Sequence, residues 1–428
     1  MRLLIAFALL LAAPAAAAAA PPWSAPSTVA EGDVFARGVL YSRGSGGAVF
    51  WQRGQGVTSE GSSVAELLAA PLGGDGRPAA SRRVSTLDGA LAAGRRFTFA
   101  GFRGVAGRTV LLAGSAARPG GSLAPRRVGR AASGNPTPVA AGGAVAYVVR
   151  PAGRRQRAYV ALSRLAGRRF RGARRISPRG RIGALALASD ARGDALATWH
   201  RDGRVEARIV TARGVRSPVR PVGRAGVAQH LDAALAGDGT AVVGWVDQYV
   251  SEGEGLSAAT IRAAVRRPGR RFARARRLEV YPDREIAGGT GVRVAIAAGR
   301  PLVAWTGRHA IRAAFADGTS FGAAQDLAPL GDRTYDRAGG LADLATGPGG
   351  TALVVWLAPQ DSSGLQLTAA ALKAGAPAFG PAEAVAPSAA LVRSASAAFD
   401  PASGGSLVAW DELGPAANRV LVASRPAP

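Results

Sequence analysis

The chain has 428 residues and a formal net charge of +26, carried almost wholly by arginine, since Lys373 is the only lysine among 54 basic residues. It has no cysteine, which excludes disulfide staples, thiolate metal sites, cysteine nucleophiles and a lipid-modified cysteine. With 48% hydrophobic residues it can bury a large core, and its length suits two or three ordinary domains or one large repeat ring.

Residues 1–20, MRLLIAFALLLAAPAAAAAA, combine one positive charge, an apolar stretch and a tract of small residues. That is the pattern of a secretory signal peptide, cut near Ala18–Ala20. The segment is short for a spanning helix, and no later apolar run reaches spanning length. The sequence therefore predicts a secreted or envelope-associated chain with a signal peptide over 1–20, one domain over 21–428 and no transmembrane segment.

From Trp51 onward one phrase recurs. GGAVFW, GDALATW, GTAVVGW, GRPLVAW, GTALVVW and GGSLVAW end in Trp51, Trp199, Trp245, Trp305, Trp356 and Trp410. Tyr147 in GGAVAYVV holds the same place, and Ala113 in GRTVLLA fills the remaining gap. Eight units then follow at a mean step of about 51 residues, the length of a four-stranded propeller blade. The second unit, about 90–130, shows no clear third strand, so seven units with an irregular insertion is the alternative.

Within a unit the pattern is short strands and glycine turns, with no helical period. In the fourth unit, IGALALASD reads as an innermost strand, DARGD as a turn and ALATW as the second strand. VEARIV alternates apolar and polar residues as a half-buried third strand. The fourth strands align on an aromatic followed six residues later by an aliphatic: Phe170/Ile176, Phe272/Leu278, Phe321/Leu327 and Phe379/Val385. After Trp410 the sequence offers a third strand, RVLVASR, but no fourth; the same signature stands at the other end, with Trp23 six before Val29. A ring closes firmly when one blade is built from both ends of the chain, because the added strand covers an open edge. The expected fold is all-β: a single closed β-propeller of eight blades (alternatively seven), each a four-stranded antiparallel sheet. An N-terminal strand completes the last blade.

These features together resemble the loosely defined secreted β-propeller repeat proteins of actinobacteria over about 22–424. The resemblance implies a fold and no particular activity. Sialidases fit less well, because their Asp box places Trp three after Gly, whereas SDARGDALATW places Trp199 six after Gly193. A Trp-Asp pair, as in WD repeats, occurs only at Trp410-Asp411.

Antiparallel connectivity sends the loops between second and third strands, and the crossovers between units, to one face. The residues after each tryptophan differ in every unit, so function is expected there. VDQYVSEGEGLS and EVYPDREIAGG flank the fifth unit, and LGDRTYDRAGG follows the sixth. They supply the expected ligand-binding residues Tyr249, Glu252, Glu254, Tyr281, Asp283, Arg284, Glu285, Asp332, Tyr335 and Asp336. Tyrosine rings stack on sugars or peptides while charged neighbours fix orientation. The alternative is a glycan-active hydrolase or lyase with a sialidase-like site at the channel mouth, using paired carboxylates as acid and nucleophile. Binding is favoured over catalysis, and no catalytic residue is assigned.

No P-loop, G-x-S-x-G, H-E-x-x-H or D-x-D-x-D sequence occurs, and His200, His230 and His309 come from different units. No metal site and no cofactor are expected. Over 147–280 there are 28 arginines against 10 acids, a balance of +18, while 301–428 is near neutral. Arginine pairs such as Arg168-Arg169, Arg174-Arg175, Arg270-Arg271 and Arg276-Arg277 fall on the outer strands of the third and fifth units, so positive charge should rim the side. Such a field attracts polyanions. The expected partner is an anionic glycan, a cell-wall polymer or an envelope protein, met by a monomer. Phe170 and Phe272, interleaved with these arginines, align with core residues and not with exposed stacking rings, which together with the secreted address argues against nucleic acid.

Overall fold

The computed structural model describes residues 22–42, 46–57, 63–85, 90–93, 96–105, 108–131, 138–150, 157–251, 255–281, 291–330, 339–360, 364–386, 391–414 and 417–427. Among them the fold is all-β, with a 3-10 turn at Pro348–Gly350 and no α-helix. No helix among the described residues is long and apolar enough to cross a membrane. The predicted signal peptide lies outside them.

The strands form antiparallel groups, of four strands over 34–85, 90–131, 182–224, 227–281 and 340–386, and of five over 139–175 and 292–329, where the outermost strand is split in two. The last group joins Leu391–Phe399, Ser406–Leu413 and Asn418–Arg425 to the N-terminal strand Ser27–Gly32. That strand pairs antiparallel with Asn418–Arg425, Ser27 opposite Val422 and Gly32 opposite Asn418. The expected displacement of a strand from one end of the chain to the other is present. Trp23 sits just ahead of it, with the Arg425 guanidinium 5.7 Å from its ring centre.

In the fourth group the register follows the sequence pattern closely. Ile182–Ser189, Ala195–Arg201 and Arg204–Val210 pair in order, with Trp199 between Leu185 and Glu206. The first strands of successive groups pack on one another: Val34–Ser42 on Ala90–Ala93, then Val139–Ala141, Ile182–Ser189, Val227–Leu235, Val292–Ala297, Gly340–Thr346 and Leu391–Phe399. Leu391–Phe399 packs in turn on Val34–Ser42.

The core is a series of clusters, each shared by two neighbouring groups. Trp199 packs with Val160, Leu162 and Ile176 of the third group, and Trp245 with Val205, Ala207 and Val222 of the fourth. Trp305, Trp356 and Trp410 repeat this on the fifth, sixth and seventh. Trp51 of the first packs with Val420 and Val422 of the last. All six are at most 2% exposed. The fourth-strand signature divides the same way. Phe272, Phe321, Phe379 and Trp23 pack into the cluster shared with the preceding group, whereas Ile176, Leu278, Leu327, Val385 and Val29 pack into the one shared with the next.

The second group departs from expectation. Ala113 lies on its third strand, Arg108–Ala116, and the second strand is Phe97–Val105. Phe97 and Phe99, both buried, fill the contact with the first group, and Phe97 meets Phe50 at 5.6 Å between ring centres. Two phenylalanines supply the ring volume that one tryptophan supplies elsewhere, so the tryptophan phrase is missing although the strand is present.

Two outcomes follow. Trp199→Ala should cost about 3–5 kcal/mol, read as a lower denaturant midpoint, because a buried ring is lost from a shared wedge; Trp199→Phe should cost clearly less. Trp23→Ala should speed amide exchange in Asn418–Arg425 while leaving Ala195–Arg201 unchanged.

Candidate functional site

Many polar residues that follow the tryptophans continue the second strand and serve the framework. Gln52, Gln248, Asp411 and Glu412 are buried. Asp247 accepts hydrogen bonds from the Gly226 backbone at 2.8 Å and Arg262 Nε at 3.0 Å. Asp411 accepts from the Ser394 backbone at 2.9 Å and its hydroxyl at 2.5 Å. Burial raises the Asp411 pKa above the ordinary carboxylate value, against the opposing pull of those bonds.

Three indoles are anchored by glutamates. Trp199 donates to Glu206 at 3.0 Å, Trp305 to Glu279 at 2.6 Å and Trp410 to Glu412 at 3.0 Å. Arginines face each carboxylate: Arg201 at 2.6 Å, Arg312 at 3.5 Å and Arg419 at 2.9 Å. A buried indole N–H needs an acceptor, and a buried carboxylate needs a cation.

Of the ten expected ligand-binding residues, Tyr281 is fully described. It is 1% exposed, belongs to the core between the fifth and sixth groups, and donates its hydroxyl to the Thr306 carbonyl. Tyr249 lies on the strand Ala241–Ser251, opposite Ala258. Its side chain, and Glu252, Glu254, Asp283, Arg284, Glu285, Asp332, Tyr335 and Asp336, lie outside the described residues.

The innermost strands hold a second polar set. Asp232 accepts from the Ala233 backbone and from Val294 of the next group, both at 2.9 Å. Asp343 repeats the arrangement with Leu344 and Ala397, also at 2.9 Å. Burial raises the Asp232 pKa despite the nearby Arg293 and these two bonds. His230 occupies the bulge before Asp232 with φ of 45°, the left-handed region. Partial burial, then the Arg293 charge, lower its pKa. No group of three metal-ligating side chains occurs among the described residues.

Two arginine-lined open grooves lie along the outer strands and the turns that join them. Between the fourth and fifth groups a groove of about 500 Å³ is lined by Arg208, Arg220, Arg266, Arg270, Arg271 and Phe272, with smaller residues between. Between the fifth and sixth, another of about 500 Å³ is lined by Arg262, Arg274, Arg276, Arg277, Thr319 and Ser320. No acidic residue is among the described residues lining either. The segment RRPGRRFARARR, 266–277, feeds both. The arginine-rich sequence gave the signal for this rim; the grooves arise where neighbouring sheets diverge.

No protein family matches the chain by sequence, and no curated protein does. Solved structures with similar folds include a prolyl endopeptidase, at 17% identity and a TM-score of 0.43, covering 89% of this chain. This chain spans 53% of that protein's length. A neuraminidase-like protein of a flat-faced bat strain from Peru matches at 12% identity and a TM-score of 0.38, over 71% of this chain and 92% of its own. A fucose-recognising lectin of Aleuria aurantia, a six-bladed β-propeller, matches at 12% and 0.32, over 64% and 84%.

His230 gives a pH-dependent outcome. Its native pKa lies below the ordinary 6.5, so in acid the unfolded chain takes up a proton that the native state resists. Native stability at this position therefore falls as pH drops through 6.5. His230→Asn keeps a residue tolerant of left-handed backbone and removes the titration. The melting temperature of the variant should fall less than that of the parent between neutral pH and pH of about 5.

Proposed function

We propose that the chain is a secreted binding or scaffold protein of the cell envelope or extracellular space, built as a single closed eight-bladed β-propeller over 21–428. Its proposed ligand is an anionic glycan or another polyanion. Three features support the ring. First strands pack in series from the first group to the last and back. The last and first groups share a core around Trp51 like every other pair. Strand Ser27–Gly32 covers the outer edge of the last group. The N-terminal leader motif supports the secreted address.

The observation that carries the ligand class is the pair of arginine-lined grooves without an acidic lining residue. Some arginines elsewhere are neutralised in place, as Arg312 by Asp326 at 2.8 Å and Arg425 by Glu383 at 3.1 Å, and in the second groove Arg262 is paired with Asp247 at 3.0 Å. The arginines lining the first groove have no such ion pair among the described residues. Guanidinium groups left without a carboxylate in a concave surface keep their charge and donors for an external anion. A rigid scaffold holds them in fixed relative positions, which distinguishes a site from diffuse charge attraction.

The test is binding of the leader-free protein to soluble polyanions at low salt and at ~0.15 M, where exposed charges are screened beyond about 8 Å. Binding should weaken with salt yet persist at the higher concentration. Complete loss there would leave only non-specific attraction and sink the proposal.

A further inference from the structure

We infer that the groove between the fourth and fifth groups is a site for a tetrahedral oxoanion, a phosphate or sulfate, carried on a polymer without nucleobases. This rests on the anionic-ligand reading and names its site and chemistry.

The two walls bring charge from opposite sides. Arg208 and Arg220 come from the fourth group, and Arg266, Arg270 and Arg271 from the fifth. Two of these side chains are held by backbone carbonyls. Arg208 Nη1 donates to Ile176 at 2.7 Å; Arg266 donates through Nε to Arg270 at 2.9 Å and through Nη1 to Gly239 at 2.6 Å. Carbonyls position a guanidinium without cancelling its charge. Arg208 Nε is buried with no hydrogen-bond partner among the described residues. Arg208 is also destabilised by burial and by Arg216, and Arg266 by burial and by Arg220, so like charges are held close together. A bound anion relieves that crowding of positive charge.

Geometry selects the anion. A carboxylate presents two coplanar oxygens and is satisfied by one guanidinium fork. A phosphate or sulfate ester presents several terminal oxygens pointing apart and can accept from both walls at once. The volume, about 500 Å³, lies within the roughly 300–1,000 Å³ of small-ligand sites. The same segment, 266–277, also lines the second arginine groove, so a second cationic surface stands beside the first, which suits a chain of anions over a single ion. Phe272, the aromatic residue in the lining, is packed against the core between the two groups and is not free for base stacking.

The experiment compares the leader-free protein with two triple variants of equal charge change. One is Arg220→Ala, Arg270→Ala, Arg271→Ala in the groove; the other is Arg169→Ala, Arg171→Ala, Arg174→Ala on the exposed rim of the third group. Retained melting temperature checks that each folds. Probes are polyphosphate, dextran sulfate, polygalacturonate and oligo-dT at ~0.15 M salt. The groove variant should lose about tenfold or more in affinity for polyphosphate or dextran sulfate, and the rim variant less than about threefold. The tighter of the two probes identifies phosphate or sulfate as the source. Equal losses in both variants would overturn the groove while leaving the polyanion reading standing. Polygalacturonate or oligo-dT binding as tightly as the better oxoanion probe would overturn the chemistry. No binding of any probe by the parent protein would remove the polyanion reading itself.

Discussion

The structure depends on filling the wedge between neighbouring twisted sheets. Four-stranded sheets arranged around a common centre are close at their first strands and diverge outward. Alanine and glycine allow the close approach inside: Gly38 lies so near Ser396 that an added Cβ would stand 3.1 Å from its hydroxyl oxygen. Farther out the gap needs a large rigid ring, which tryptophan supplies with few rotatable bonds. Trp199, Trp245, Trp305, Trp356 and Trp410 each reach the preceding group, and Trp51 reaches the last. Tyr147 does the same against Leu111 and Ala113, with burial pushing its hydroxyl pKa up to about 12.

Polar groups are then fitted around that apolar requirement. Glu206, Glu279 and Glu412 accept indole N–H bonds and meet arginines. Glu279 belongs to the fifth group and Trp305 to the sixth, so this hydrogen bond also ties two sheets together. The inner aspartates act similarly, since Asp232 and Asp343 each accept a backbone N–H from the following group. For Trp245 and Trp356 no such acceptor stands among the described residues.

The outer strands follow a different constraint. An exposed strand edge invites pairing with another chain, and charge on it discourages that. Arginine there protects the edge and at the same time furnishes guanidinium donors. Where such an edge faces a charged turn of the neighbouring group, as Arg220 and Arg270 do, the protective charge becomes the lining of a groove. The anionic ligand proposed for this protein would use a feature that edge protection already favours.

Much of the fold was legible because its constraints are local and repeated. The glycine turn before each tryptophan, the apolar second strand and the aromatic–aliphatic spacing recur at a fixed interval, and Trp23 and Val29 carried that spacing to the far end of the chain. The second group was misplaced at Ala113 because Phe97 and Phe99 meet the volume requirement with different letters. The candidate site was less legible. Asp411 and Gln248, polar residues beside the tryptophans, turned out to be buried in the framework. The sequence by itself determined the strand periodicity, the wedge-filling rings and the uneven charge, since each depends on residue type and spacing along the chain. Only the tertiary structure decided which arginines find carboxylates and which, like Arg220 and Arg271, face one another across a groove, because those distances are set by how separate sheets diverge.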